Sequence, residues 1–200
     1  RLLLENALPV SKILEDTYHL EGRQVLLFVG RLIDIKNLFF LLDALALVVN
    51  RYPKVILLFV GDGDQRVALE RHAERNGLAD HVIFAGKKQG EDLYACYNVG
   101  QIFILPSYYE RFGAVVNEAL LAGCYTLCSV VAGAACLIEP QKNGDLFDPA
   151  SKTYLAEKLA QSLKDCEGLK QISLKANKMC YSYDQYITSF FNQLNSIIDK

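Results

Sequence analysis

Residues 106–124 read PSYYERFGAVVNEALLAGC. They set two carboxylates eight positions apart, Glu110 ahead of a glycine-containing turn and Glu118 inside a helical pattern. A carboxylate placed like Glu118 can accept both hydroxyl donors of a ribose, while the amides of Phe112, Gly113 and Ala114 at the start of a helix face an anion. Glu110, in the loop before it, is placed to meet a sugar hydroxyl or a developing positive charge. Taken alone, the same two glutamates also suit a solvated surface.

Cations occur in a second loop. In VGRLIDIKN, residues 29–37, Gly30 ends an apolar run, Arg31 and Lys36 follow, and Asn37 is in place to cap the next helix. Two cations beside a helix N-terminus suit a diphosphate, because partial and full positive charges add there. A solvated turn is the plainer reading of these residues. VGDGD, residues 60–64, places Gly61 directly after another apolar run, where glycine permits close backbone approach. It is not a G-x-G-x-x-G loop, since Arg66 stands three positions after Gly63, and by itself it reads as a tight turn. FAGKKQ, residues 84–89, is one more apolar run leaving through glycine into basic residues.

Such loops need a scaffold, and the composition supplies one. Of 200 residues, 52% are hydrophobic and 22% charged, an ordinary globular balance with a large core. The net charge of −2 gives no basic excess for nucleic acid or an anionic membrane surface, so phosphate recognition has to be local. The apolar run 38–49 is broken by Asp43 and too short to span a bilayer. Arg1 in place of Met suggests a fragment. The six cysteines, Cys96, Cys124, Cys128, Cys136, Cys166 and Cys180, form no C-x-x-C pair, and the expectation is a reduced, cytoplasmic protein. His19, His72 and His81 have no metal-ligand spacing, so no metal is expected.

Five short apolar runs, 25–29, 55–60, 81–85, 102–105 and 126–129, alternate with helical patterns over 38–50, 65–76, 91–98 and 112–122. Continuously apolar runs suit strands buried on both faces, and the strand–helix alternation predicts an α/β fold with a doubly wound parallel sheet. In the last helix Phe112, Val115, Val116, Ala119 and Leu120 form the apolar stripe, with Gly123 as the stop and Glu118 off the stripe. From Asp148 the pattern becomes wholly helical: Asp148 is the expected N-cap, Pro149 the first helical residue, and 151–164, 169–180 and 183–198 the helices. The expected organisation is a linker leading in over 1–20, a Rossmann-like domain over 21–150, and C-terminal helices over 151–200 packed on it.

Ligands of open parallel sheets bind at the carboxyl ends of the strands, which is where all four loops fall. In that order VGRLIDIKN, FVGDG, VIFAG, LPSYYERFGAVVNEALLAG and NGDLFDP resemble the C-terminal, nucleotide-sugar-binding domain of GT-B glycosyltransferases, in particular the large retaining family 4, glycosyl transferases group 1. The resemblance implies that Arg31 and Lys36 hold the donor diphosphate and that Glu118 binds the ribose hydroxyls. It implies further that Glu110 lies beside the transferred sugar as the catalytic carboxylate. Gly30, Gly61 and the Phe112–Gly113–Ala114 turn then complete the donor site.

The partner it implies is a UDP-, GDP- or ADP-linked sugar, with no metal or other cofactor and no nucleic acid. An N-terminal acceptor domain is missing from this chain, so the chain alone is expected to be inactive, and any membrane contact would come through that domain. Surface polysaccharide or glycolipid synthesis at the inner membrane surface is the setting implied. The sequence departs from the pattern at Arg111, where glycine is frequent, and at Cys136, where an acid is frequent. The alternatives are a GT-B epimerase half and a non-catalytic nucleotide-binding module.

Overall fold

The computed structural model describes residues 2–165. Six strands form one sheet: β1 (Gln24–Val29), β2 (Val55–Val60), β3 (Val82–Gly86), β4 (Ile102–Leu105), β5 (Tyr125–Ser129) and β6 (Gly144–Phe147). Every neighbouring pair is parallel and the order is β3-β2-β1-β4-β5-β6. The fold is a Rossmann-like, doubly wound α/β sheet, as the alternation of apolar and helical patterns predicts. β1 pairs with β2 residue for residue from Gln24↔Val55 to Val29↔Val60, and β2 is buried along its whole length.

Burial on both faces is visible along β1. Val25, Leu27 and Val29 enter one core, and Leu26 and Phe28 enter the other. The first core is closed by α1 (Leu2–Asn6), α2 (Leu8–Thr17), α5 (Gly90–Val99) and α6 (Ala114–Leu121). The second is closed by α3 (Leu38–Val48), α4 (Arg66–Arg75) and α7 (Lys152–Asp165). The helix after β1 therefore packs on one face and the helix after β4 on the other. These two strands are adjacent, so their loops part at the carboxyl end of the sheet and leave a crevice between them.

Five expectations need correction. A sixth strand, β6, lies beyond the five apolar runs. It is four residues long and contains Asp145, which pairs with Lys158 and accepts a hydrogen bond from Tyr125, so its apolar signal is weak. α6 starts at Ala114, and Phe112 stands before it, 82% exposed, instead of heading the apolar stripe. Asn37 occupies a left-handed conformation at the start of α3, and its side chain caps nothing there; its amide donates to the Pro149 carbonyl at 3.0 Å. α7 begins at Lys152, not at Pro149: Asp148 accepts from the Ala150 amide in a local turn, and the Ser151 hydroxyl stands where the cap belongs. Residues 2–17, read as part of a linker, form α1 and α2, which pack on α5. The helices expected over 169–180 and 183–198 lie outside the described residues.

Candidate functional site

The crevice between β1 and β4 is built by two loops that hold each other. After β1, a single turn of 3-10 helix over Asp34–Lys36 turns the chain into α3. After β4, residues 106–113 run to α6, and the Tyr108 amide donates to the Ile35 carbonyl at 3.0 Å. This backbone link sets Lys36 against Glu110, and the Lys36 ammonium donates to Glu110 Oε2 in an ion pair whose side chains are only 15% and 18% exposed. Two residues 74 positions apart thus meet through adjacent strands. Glu110 is also fixed from the far side: it pairs in parallel with Ala132, and its carbonyl accepts the Gly133 amide at 2.8 Å. Arg31 is exposed on the same loop as Lys36.

The turn between Glu110 and α6 depends on Gly113, which adopts φ +79°. A Cβ there would come within 3.0 Å of the Ala134 methyl and 3.1 Å of Leu105, so a side chain would be strained by the conformation and tight against both neighbours. No side chain caps the first turn of α6, which follows Gly113 directly. Gly61 has a different reason to be glycine: a Cβ at this position would lie 1.8 Å from the Gly30 carbonyl oxygen. The loops after β1 and β2 touch backbone to backbone there, and the Leu32 amide donates to the Asp62 carbonyl at 2.9 Å.

Glu118 lies one turn further along α6, half-buried, away from the inward-facing Val116, Ala119 and Leu120. Its Oε2 accepts the hydroxyl of Tyr97 at 2.6 Å. Tyr97 belongs to α5 and is fully buried, its ring 6.2 Å from that of Phe103 on β4. Burial, and then the hydrogen bond to the Glu118 carboxylate, push the Tyr97 phenol well above its ordinary range, so it stays a proton donor. Tyr97 is the site residue that sequence reasoning missed. Inside an apolar run it reads as core, and the only signal is the general one that a buried tyrosine hydroxyl needs a partner.

The structure thus brings Lys36 and Glu110 into contact, places Arg31 and the 112–114 turn on the same two loops, and puts Glu118 on the helix that follows. Among the described residues no group of three or more His, Cys, Asp and Glu converges as a metal site would require. No described helix is long and apolar enough to cross a membrane.

A parallel doubly wound sheet with a cation–carboxylate pair at its switch point is a Rossmann-like domain built to meet a ligand at its strand ends. The chain belongs to the family described as glycosyl transferases group 1, which residues 11–179 match. It is 30% identical over 161 residues to an uncharacterized glycosyltransferase of Methanocaldococcus jannaschii, covering 80% of this chain and 41% of that protein. It is 29% identical over 154 residues to the alpha-D-kanosaminyltransferase of Streptomyces kanamyceticus, covering 77% of this chain and 40% of that one. The chain therefore spans about two-fifths of the length of these relatives. Among solved structures, WaaG, a glycosyltransferase involved in lipopolysaccharide biosynthesis, superposes with a TM-score of 0.69 at 26% identity, over 76% of this chain and 41% of that one. Anabaena HepE in complex with UDP shares the fold with a TM-score of 0.72 at 24% identity, over 94% of this chain and 52% of that one.

Proposed function

We propose that this chain is the donor-binding half of a retaining glycosyltransferase that moves a sugar from a nucleotide diphosphate to an acceptor hydroxyl in surface polysaccharide or glycolipid assembly. The observation that carries the reading is the Lys36–Glu110 pair at the β1/β4 switch point, bounded by the uncapped start of α6. The donor diphosphate lies against Lys36, Arg31 and the amides after Gly113, and Glu118 accepts the ribose hydroxyls. The transferred sugar then lies beside Glu110. As the bond from the anomeric carbon to the phosphate oxygen breaks, its electron pair leaves with the diphosphate, where the cations and amides stabilise it. Positive charge grows on the sugar ring, and the Glu110 carboxylate faces it. The new bond forms from the acceptor hydroxyl on the same side, its proton passing to the phosphate oxygen of the departing diphosphate, so configuration is retained.

Because the matched region covers only 41% and 40% of these two relatives, the acceptor wall is assigned to a further domain, and this chain is expected to bind donor without transferring sugar. HepE, whose structure holds UDP, supports UDP as the first probe. The test is calorimetric titration of the chain with UDP, GDP and ADP. Binding of one of them with a dissociation constant in the micromolar-to-millimolar range, on the order of −4 to −8 kcal/mol, is the expected result. No binding of any at millimolar concentration overturns the reading.

A further inference from the structure

We propose that Tyr97 is a positioning residue for the donor site: from the sheet side it holds the Glu118 carboxylate in the orientation that presents its second oxygen to the ribose. The proposal rests on the ribose assignment of Glu118 made above. Three observations carry it. The Tyr97 ring is fully buried and lies against Phe103 of β4, while the backbone carbonyl of Tyr97 accepts from the Cys124 thiol at 3.5 Å, so ring and backbone are both tied to the core. Its hydroxyl donates to Glu118 Oε2 at 2.6 Å, within the range of a charge-assisted hydrogen bond. The other oxygen, Oε1, accepts no hydrogen bond from the described residues, and the side chain is half-exposed.

A glutamate on a helix surface has three rotatable bonds, and holding one rotamer for a ligand lowers affinity by the entropy lost. A donor anchored in the core fixes one carboxylate oxygen before the ligand arrives. A carboxylate offers about four lone-pair positions, so one used by Tyr97 leaves enough for two vicinal hydroxyls. A neutral phenol also suits the task better than a cation, since it orients the carboxylate without cancelling the charge that makes the ribose contacts strong.

The test uses the difference between ribose and a sugar lacking both hydroxyls. UDP, GDP and ADP, and their 2′,3′-dideoxy counterparts, are titrated into the wild-type chain, Glu118→Gln and Tyr97→Phe. Tyr97→Phe keeps the ring packing and removes only the hydroxyl. It should weaken the ribonucleotide by about five-fold, the worth of one hydrogen bond, and leave the dideoxy form unchanged. A merely structural Tyr97 would weaken both forms alike.

If Glu118→Gln leaves the ribose preference intact, the ribose assignment falls and the inference with it. If Glu118→Gln abolishes the preference and Tyr97→Phe retains it, the inference alone is overturned. Should Tyr97→Phe fail to fold, 3-fluorotyrosine introduced at position 97 keeps the hydroxyl and reports by fluorine NMR. Its resonance should shift with the ribonucleotide and not with the dideoxy form, and equal response to both overturns the inference.

Discussion

The Lys36–Glu110 pair makes a prediction with opposite signs at its two ends. In the free chain the Lys36 ammonium already has a carboxylate, largely shielded from water, so a diphosphate has to take it from Glu110. Two charges in contact near a protein surface attract with a gross energy of about 4 kcal/mol at an effective dielectric of about 20, but desolvation and side-chain entropy reduce such pairs to about 1 kcal/mol net. A charge-assisted contact to phosphate contributes about 1.5–3 kcal/mol, or about 10- to 100-fold in affinity. Subtracting the exchange places Lys36→Ala near the lower end of that range, about ten-fold weaker for UDP and nearly unchanged for uridine. Glu110→Gln removes the competitor and keeps the shape, so UDP should bind about five-fold more tightly, with the gain shrinking as salt is added. Calorimetry of both variants with UDP and uridine, with parallel thermal melts to confirm folding, decides the matter. Equal losses for UDP and uridine in Lys36→Ala would remove Lys36 from the phosphate site. A Glu110→Gln variant that binds UDP more weakly would refute the exchange.

Three further outcomes follow from the geometry. Gly61→Ala should lower stability by about 3 kcal/mol, since its Cβ would lie 1.8 Å from the Gly30 carbonyl oxygen and the residue would keep a positive φ; chemical denaturation showing less than about 1 kcal/mol would mean the two loops are not in contact. Burial pushes the Cys96 and Cys128 thiols up to about 12, so Cys136, exposed, should be alkylated quickly at neutral pH while Cys96, Cys124 and Cys128 react only on unfolding, as peptide mass spectrometry would show. The same two thiols have folded-state values above the ordinary 9.0, so their contribution to stability is complete below pH 9 and is lost as pH rises toward 12; the melting temperature should fall across that window, and Cys128→Ala should reduce the slope.

The legible parts of this fold were those whose residue types alone decide the outcome. Runs such as VILLFV can be buried on both faces only within a covered parallel sheet, and five of the six strands were found from that property. β6 escaped because it owes its place to neighbours: β5 supplies its ladder, and its Asp145 is accommodated by Lys158 and Tyr125. The cap assignments failed for a related reason. Asn37 and Asp148 are good capping residues, yet one donates to a carbonyl 112 positions away and the other closes a turn of its own, choices made by tertiary structure.

The site shows the same division more sharply. Strand-end loops could be marked in the sequence one at a time, and in each of them a solvated turn was an adequate explanation. What makes Lys36 and Glu110 a pair is strand order, with β1 next to β4 and their helices on opposite faces. Order is carried by how the whole sheet packs, and no local pattern encodes it. Tyr97 illustrates the limit from the inside: an aromatic residue in an apolar run is core by every local criterion, and it is core. Its one polar atom reaches α6 only because α5 and α6 share a face of the sheet. In a doubly wound fold, then, loops announce the groups that can meet a ligand, whereas the residues that hold those groups still lie in the layer beneath and are seen only when the helices are in place.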